Sequence, residues 1–203
     1  MQLLRSKDFG YGADFQYGPT WYTNVYHADA ESASTDDPGP GIHEARDREV
    51  LAAAGISRFS HYLVLGCGGL HNVSLLRAMV GEDITLTGID WSSRIIDWCR
   101  KVYPEYEFLN CDIQHLLFPN EAFDVILAMD FTEHLSLEDY ALFWRESSRL
   151  LQSGGRLVVV PGMTARPEHI NVISVLGIAS HGIQNGLEVM NTDGLWWVVF
   201  RKK

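Results

Sequence analysis

The sequence predicts an α/β fold in which a parallel sheet, covered on both faces by helices, ends in an antiparallel hairpin. From residue 42 onward, short runs of Val, Ile and Leu alternate with longer segments of helical periodicity. The strand-like runs are apolar almost throughout, the pattern of strands buried on two faces rather than one. The last two runs, 186–191 and 195–201, are separated only by Thr192-Asp193-Gly194. A connection that short cannot cross over the sheet, so these two strands must be antiparallel.

The elements follow in order. Residues 42–56, IHEARDREVLAAAGI, read as a helix, with Ile42, Ala45, Glu49, Ala52 and Ala53 spaced helically and Gly55 at its end. HYLVLG (61–66) is a short apolar run closing in glycine, and a helix is expected from His71 to Val80. ITLTGID (84–90) is β-branched and strand-like. SSRIIDWCRKVY places Ile95, Trp98, Cys99 and Val102 on one face, opens on a serine cap, carries Arg100 and Lys101 near its C-terminal end, and stops at Pro104. YEFLN (106–110) and FDVILAM (123–129) are the third and fourth strands. SLEDYALFWRESSRLLQ opens on Ser136 and is expected to run to Gly154-Gly155, before the buried strand RLVVVP (156–161). A helical segment around 168–180 precedes the hairpin.

Composition narrows the function. The chain has 203 residues, 46% hydrophobic and 21% charged, which is the profile of one globular domain with a short appendage. That appendage is residues 1–41, an aromatic arm (Phe9, Tyr11, Phe15, Tyr17, Trp21, Tyr22, Tyr26) followed by a loop-like ADAESASTDDPGPG. A net charge of −10 disfavours nucleic acid, which needs a basic footprint. Cys67, Cys99 and Cys111 form no paired framework, pointing to a reducing compartment and to no zinc motif. No apolar run approaches the roughly 18 residues of a membrane span, and no signal-peptide pattern is read at the N-terminus. The expected location is the cytoplasm, with no metal site and no membrane partner.

Chemistry concentrates at the ends of successive strands. LVLGCGGLHNV (63–73) carries Gly66, Cys67 and Gly68 between a strand and a helix, where a nucleotide cofactor lies across the carboxyl edge of a sheet. Taken alone, such a loop also fits a plain strand-to-helix turn. Asp90 ends the second strand, where a carboxylate can accept two ribose hydroxyls, although it can equally serve the following helix. Asp112 and Ile113 follow the third strand, placed to receive an adenine amino group and pack on its ring. His134, in Thr132-Glu133-His134-Leu135, follows the fourth strand and His169, in Pro167-Glu168-His169, follows the fifth. Either can serve as a base for an oxygen nucleophile, or simply complete local structure.

LVLGCGGL, LTGIDWS, FLNCDI, FDVILAMDFTEHL and RLLQSGGRLVVVPG together resemble, in order and spacing, the class I S-adenosylmethionine-dependent methyltransferases, and residues 42–203 are similar to their catalytic domain. The tail PEHINVIS…NGLEVMN resembles members acting on saccharides and other small molecules. The resemblance implies a Rossmann-like, doubly wound sheet of seven strands with the seventh antiparallel. It implies S-adenosylmethionine as cofactor, with Gly66, Cys67 and Gly68 at its methionine part and Asp90 on the ribose beside Trp91. Asp112 and Ile113 would take the adenine, and Ala128 to Asp130, Met129 among them, would flank the sulfonium. The arm would close as a lid through Tyr17, Trp21 and Tyr22. Two positions depart from the pattern: Val64 stands where the family usually has an acid, and Leu70 where it usually has a third glycine. The expected activity is methyl transfer to a small-molecule acceptor such as a sugar or other metabolite hydroxyl. The alternative is a degenerate member that serves as a partner or scaffold. A nicotinamide-dependent oxidoreductase is disfavoured, because almost no chain remains for a substrate domain.

Overall fold

Apolar strands buried on both faces need a helical layer on each side, and the chain supplies both. The computed structural model describes residues 43–68, 70–163 and 169–203. The aromatic arm, with Tyr17, Trp21 and Tyr22, lies outside these residues. In chain order the elements are α1 (Glu44–Ala53), β1 (His61–Leu65), α2 (His71–Val80), β2 (Thr85–Asp90), α3 (Ser93–Val102), β3 (Glu107–Asn110), β4 (Phe123–Met129), α4 (Leu137–Leu150), β5 (Leu151–Val160), α5 (Val175–Gln184), β6 (Leu187–Thr192) and β7 (Val198–Lys202). Single 3₁₀ turns lie at Ile113–His115 and Thr132–His134.

The seven strands form one sheet in the order β3-β2-β1-β4-β5-β7-β6. β1 to β5 are mutually parallel, and β7 runs antiparallel to both β5 and β6. The seven-stranded, doubly wound α/β fold with an antiparallel C-terminal hairpin is therefore present. Alternate residues of each central strand feed two separate cores, as a period of two requires. Tyr62, Val64, Val125, Leu127, Val158 and Val160 pack with α1, α2 and α3. Leu63, Leu65, Ile126, Ala128, Leu157 and Val159 pack with α4 and α5. Serines start three helices: Ser92 Oγ accepts from Ile95 N, Ser136 Oγ from Asp139 N, and Ser174 Oγ from Gly177 N.

Three boundaries differ from expectation, each for a tertiary reason. α4 ends at Leu150 and β5 already begins at Leu151, so Gly154-Gly155 lie inside the strand, where its register against β4 shifts between Phe123 and Val125. Residues 169–174 are not helical; Asn171 N donates to Glu133 O at 3.0 Å, tying this segment to the turn after β4, and α5 starts only after Ser174. β7 begins at Val198 rather than at residue 195. Asp193 Oδ1 accepts from Leu195 N, Trp196 N and Trp197 N at 2.8–3.1 Å, which folds those residues into the hairpin turn.

Candidate functional site

The strand order reverses between β1 and β4, whose following connections depart to opposite faces of the sheet. A crevice opens at such a point, outside the carboxyl ends of the strands, and ligands of open α/β sheets lie there. Every sequence-predicted site residue within the described part lies at this edge.

The loop after β1 leads into the crevice. Gly66 has φ +63° and Gly68 φ +42°, both left-handed. A Cβ on Gly66 would stand 2.8 Å from Phe131 Cδ2, so the glycine lets the Phe131 ring close down on the loop. Leu70 takes φ +64° at the N-cap of α2, keeping the left-handed backbone at the usual glycine position while its side chain is fully buried. The loop is pinned from β2: Cys67 N donates to Ile89 O at 2.9 Å, and Gly68 N donates to Asp90 Oδ2 at 3.0 Å.

Asp90 does more than face a ligand. Its Oδ1 accepts from Ser92 N at 2.9 Å, so one carboxylate fastens both the β1 loop and the start of α3. Asp90 stays half-buried at the end of β2. Asn110, its register partner on β3, donates from Nδ2 to Asp90 O and Trp91 O. Sequence reading passed over Asn110 and Phe131. Their signal lay only in standing at strand ends next to Asp90 and Gly66.

Other predicted residues present less side chain to the crevice. Cys67 is 2% exposed and turns inward, its Sγ 4.0 Å from Cys99 Sγ. That hydrogen bond, and then burial, push its thiol well above the ordinary range. Met129 and Ile113 are also buried, leaving Trp91 and Asp112 as the half-buried groups beside Asp90. Asp112 Oδ1 caps the 3₁₀ turn through Gln114 N and pairs with His115 Nδ1, both at 2.8 Å. Asp130, at φ +50° after β4, pairs with Arg46 Nη2 of α1 at 3.1 Å. Val64 is fully buried between Gly88 and Leu127, in the apolar core, and presents no carboxylate.

Beyond β4 and β5 the structure unites residues that the sequence holds apart. The His134 and His169 rings stand 5.0 Å apart, edge to face. Glu133 lies with them, 1% exposed in its side chain, with His134 Nε2 at 3.7 Å from its Oε1. Burial pushes the Glu133 carboxyl up to about 7 against the backbone N–H groups of Gly162 and Glu133, with repulsion from Asp130 adding to the rise and Arg46 opposing it. The sequence suggested no metal site. One ligand-type atom from each of Glu133, His134 and His169 nevertheless lies within 4.8 Å of the others.

A glycine cradle at the switch point, a carboxylate at the end of β2 and a half-buried aromatic beside it suit a nucleoside cofactor, and the antiparallel β7 identifies the variant of the fold. The chain matches the family described as "Methyltransferase domain" over residues 63–159. Over this stretch the chain is similar to class I, S-adenosylmethionine-dependent methyltransferases.

The chain is 33% identical over 129 residues to the ubiquinone/menaquinone biosynthesis C-methyltransferase UbiE of Cellvibrio japonicus, covering 59% of this chain and 50% of that protein. It is 29% identical over 139 residues to trans-aconitate 2-methyltransferase of Escherichia coli, covering 66% and 54%. The chain thus spans about half the length of the curated relatives it matches. In fold it is similar to a TehB-like S-adenosylmethionine-dependent methyltransferase of Corynebacterium glutamicum, with TM-score 0.64, 21% identity, and 91% and 98% of the two chains covered. It is also similar to the [4+2]-cyclase SpnF, with TM-score 0.68, 18% identity and 87% and 74% covered. The methyltransferase matches imply S-adenosylmethionine as cofactor, and the Gly66 cradle and half-buried Asp90 fit it.

Proposed function

We propose that the protein transfers a methyl group from S-adenosylmethionine to a small-molecule acceptor, with a sugar or other metabolite hydroxyl as the first acceptor class to test. The observation that carries this reading is the Gly68–Asp90–Ser92 clasp, which holds a glycine cradle and an acceptor carboxylate together at the switch point. By their names, one relative is a C-methyltransferase of ubiquinone/menaquinone biosynthesis and another a trans-aconitate 2-methyltransferase, which supports a small acceptor without choosing one. The net charge of −10 argues in the same direction, away from nucleic acid.

When bound, the cofactor supplies an electrophilic methyl on a sulfonium. The chain's own residues then have three tasks. Gly66 to Gly68 and Asp90, with Trp91, Asp112 and Ile113, hold the cofactor's two ends. Asp90, Asp112 and Asp130 line the edge with carboxylates that favour a cation. His134 and His169 would stand on the acceptor side, where one would take the proton that a hydroxyl nucleophile gives up. Tyr17, Trp21 and Tyr22 remain the proposed lid, and cytoplasmic residence of the protein the proposed location. No described helix is long and apolar enough to cross a membrane.

Val64 favours a second reading. A core valine where the family usually has an acid removes one charged anchor for the cofactor, as in a degenerate partner or scaffold. Calorimetric titration with S-adenosylhomocysteine, with NAD as control, separates the two. Micromolar binding of the first alone supports the enzyme and justifies an acceptor screen; no binding by folded protein supports the scaffold.

A further inference from the structure

The turn after β4 and the segment after β5 meet at a cluster that acid–base chemistry alone leaves unexplained. Glu133 is buried, and among the described residues its carboxylate oxygens meet no side-chain donor and only marginal backbone N–H groups, from Gly162 and Glu133 itself. Thr132 Oγ1 and Asn171 Nδ2, on the same two segments, are also buried without a hydrogen-bond partner among the described residues. A carboxylate removed from water with only marginal donors is costly, and a cation is a partner that offsets the cost. Gly162, at the end of β5, keeps the space open: a Cβ there would run into the Glu133 carboxylate and stand 2.9 Å from His169 Cε1. Two imidazoles and one carboxylate complete the donor set, with all three ligand atoms within 4.8 Å of one another.

Resting on the reading of this edge as the acceptor side, we propose that Glu133, His134 and His169 bind one divalent transition-metal ion of the zinc class. Nitrogen and carboxylate donors suit zinc or cobalt better than magnesium or calcium, which favour all-oxygen shells. Three protein ligands leave the fourth tetrahedral position open, the arrangement of a reactive rather than a structural zinc. Zinc bonds of about 2.0–2.2 Å bring ligand atoms about 3.5 Å apart. Glu133 Oε1 and His134 Nε2 already stand at 3.7 Å, so the remaining closure is a side-chain rotation of the imidazoles. The open position is where an acceptor hydroxyl would be held and polarised. The two histidines then act as ligands, and coordination replaces direct proton removal by imidazole.

The full chain, stripped with a chelator and dialysed, is titrated with zinc chloride by calorimetry and with cobalt chloride by visible spectroscopy, alongside Glu133→Gln and His169→Gln. Wild type should take up one zinc per chain at micromolar affinity or tighter and develop the intense visible bands of four-coordinate cobalt. Each substitution should weaken zinc at least about tenfold and remove those bands. No zinc uptake by wild type, or equal uptake by wild type and both variants, overturns the proposal. Should a variant melt early, the wild-type cobalt spectrum decides alone, since absent or pale six-coordinate bands also overturn it. S-adenosylhomocysteine titration of the same stripped protein keeps the two readings apart. Cofactor binding without zinc binding refutes only the metal site, and zinc binding without cofactor binding refutes only the methyltransferase reading.

Discussion

Asp90→Asn separates a binding role from an architectural one. In the folded protein the Asp90 carboxylate accepts two backbone N–H groups, from Gly68 at 3.0 Å and Ser92 at 2.9 Å, one on each oxygen. An asparagine offers a single carbonyl oxygen, so its amide NH₂ must face one of these donors. The N–H left unsatisfied costs about 1–3 kcal/mol, and the surviving bond loses its charge assistance. For a chain of this size a loss of about 2 kcal/mol lowers Tm by roughly 4–8 °C. The same substitution removes the charged acceptor for the ribose hydroxyls, worth about 1.5–3 kcal/mol, or about tenfold to a hundredfold in affinity. The assay is calorimetry with S-adenosylhomocysteine at 25 °C, with thermal melts of both proteins to check that each is folded there. Affinity within twofold of wild type, together with the expected fall in Tm, would refute the ribose contact and leave Asp90 as a loop fastener only.

Three further outcomes are expected. Leu70→Gly relieves a left-handed backbone that costs a leucine about 1–2 kcal/mol, but empties a fully buried site whose truncation costs about 2–5 kcal/mol. Tm should therefore fall by several degrees with cofactor affinity unchanged, and an unchanged or higher Tm would show that backbone strain dominates. Partial burial raises the Asp193 carboxyl pKa, but backbone donors from Trp196, Leu195 and Trp197 outweigh it and the net shift is downward. Its contribution to stability is therefore present above the unfolded carboxylate pKa of about 3.9 and lost as pH falls through the lower folded value. Asp193→Asn should lower Tm at pH 7 and flatten its acid dependence below about pH 4; parallel Tm–pH curves would contradict this. Finally, Cys67 and Cys99 should resist a thiol reagent in native protein at pH 8 and react on unfolding, since both are buried and the Cys67 thiol is held well above its usual range. Rapid native labelling of either would mean that the cofactor loop opens far more than its clasp allows.

Much of this molecule could be read before it was folded. Periodicity in the residues decided the alternation of strands and helices, because a strand covered on both sides must be apolar along its length. Three intervening residues decided the antiparallel final pair, because no crossover fits in them. Gly66 and Asp90 were legible because each ends a strand, and strand ends in such a sheet share one edge. What the chain order hid was contact between segments. Asp193, rather than local propensity, folds Leu195 to Trp197 out of β7, and the bond from Asn171 to Glu133 delays α5. The inward turn of Cys67 depends on Cys99, and the left-handed Leu70 on a core pocket that holds its side chain. Glu133, His134 and His169 become one site only because parallel β4 and β5 deliver their following segments to the same place. The sequence determines which groups reach the edge; only tertiary packing decides which of them meet there, which are buried, and which are left for a ligand to satisfy.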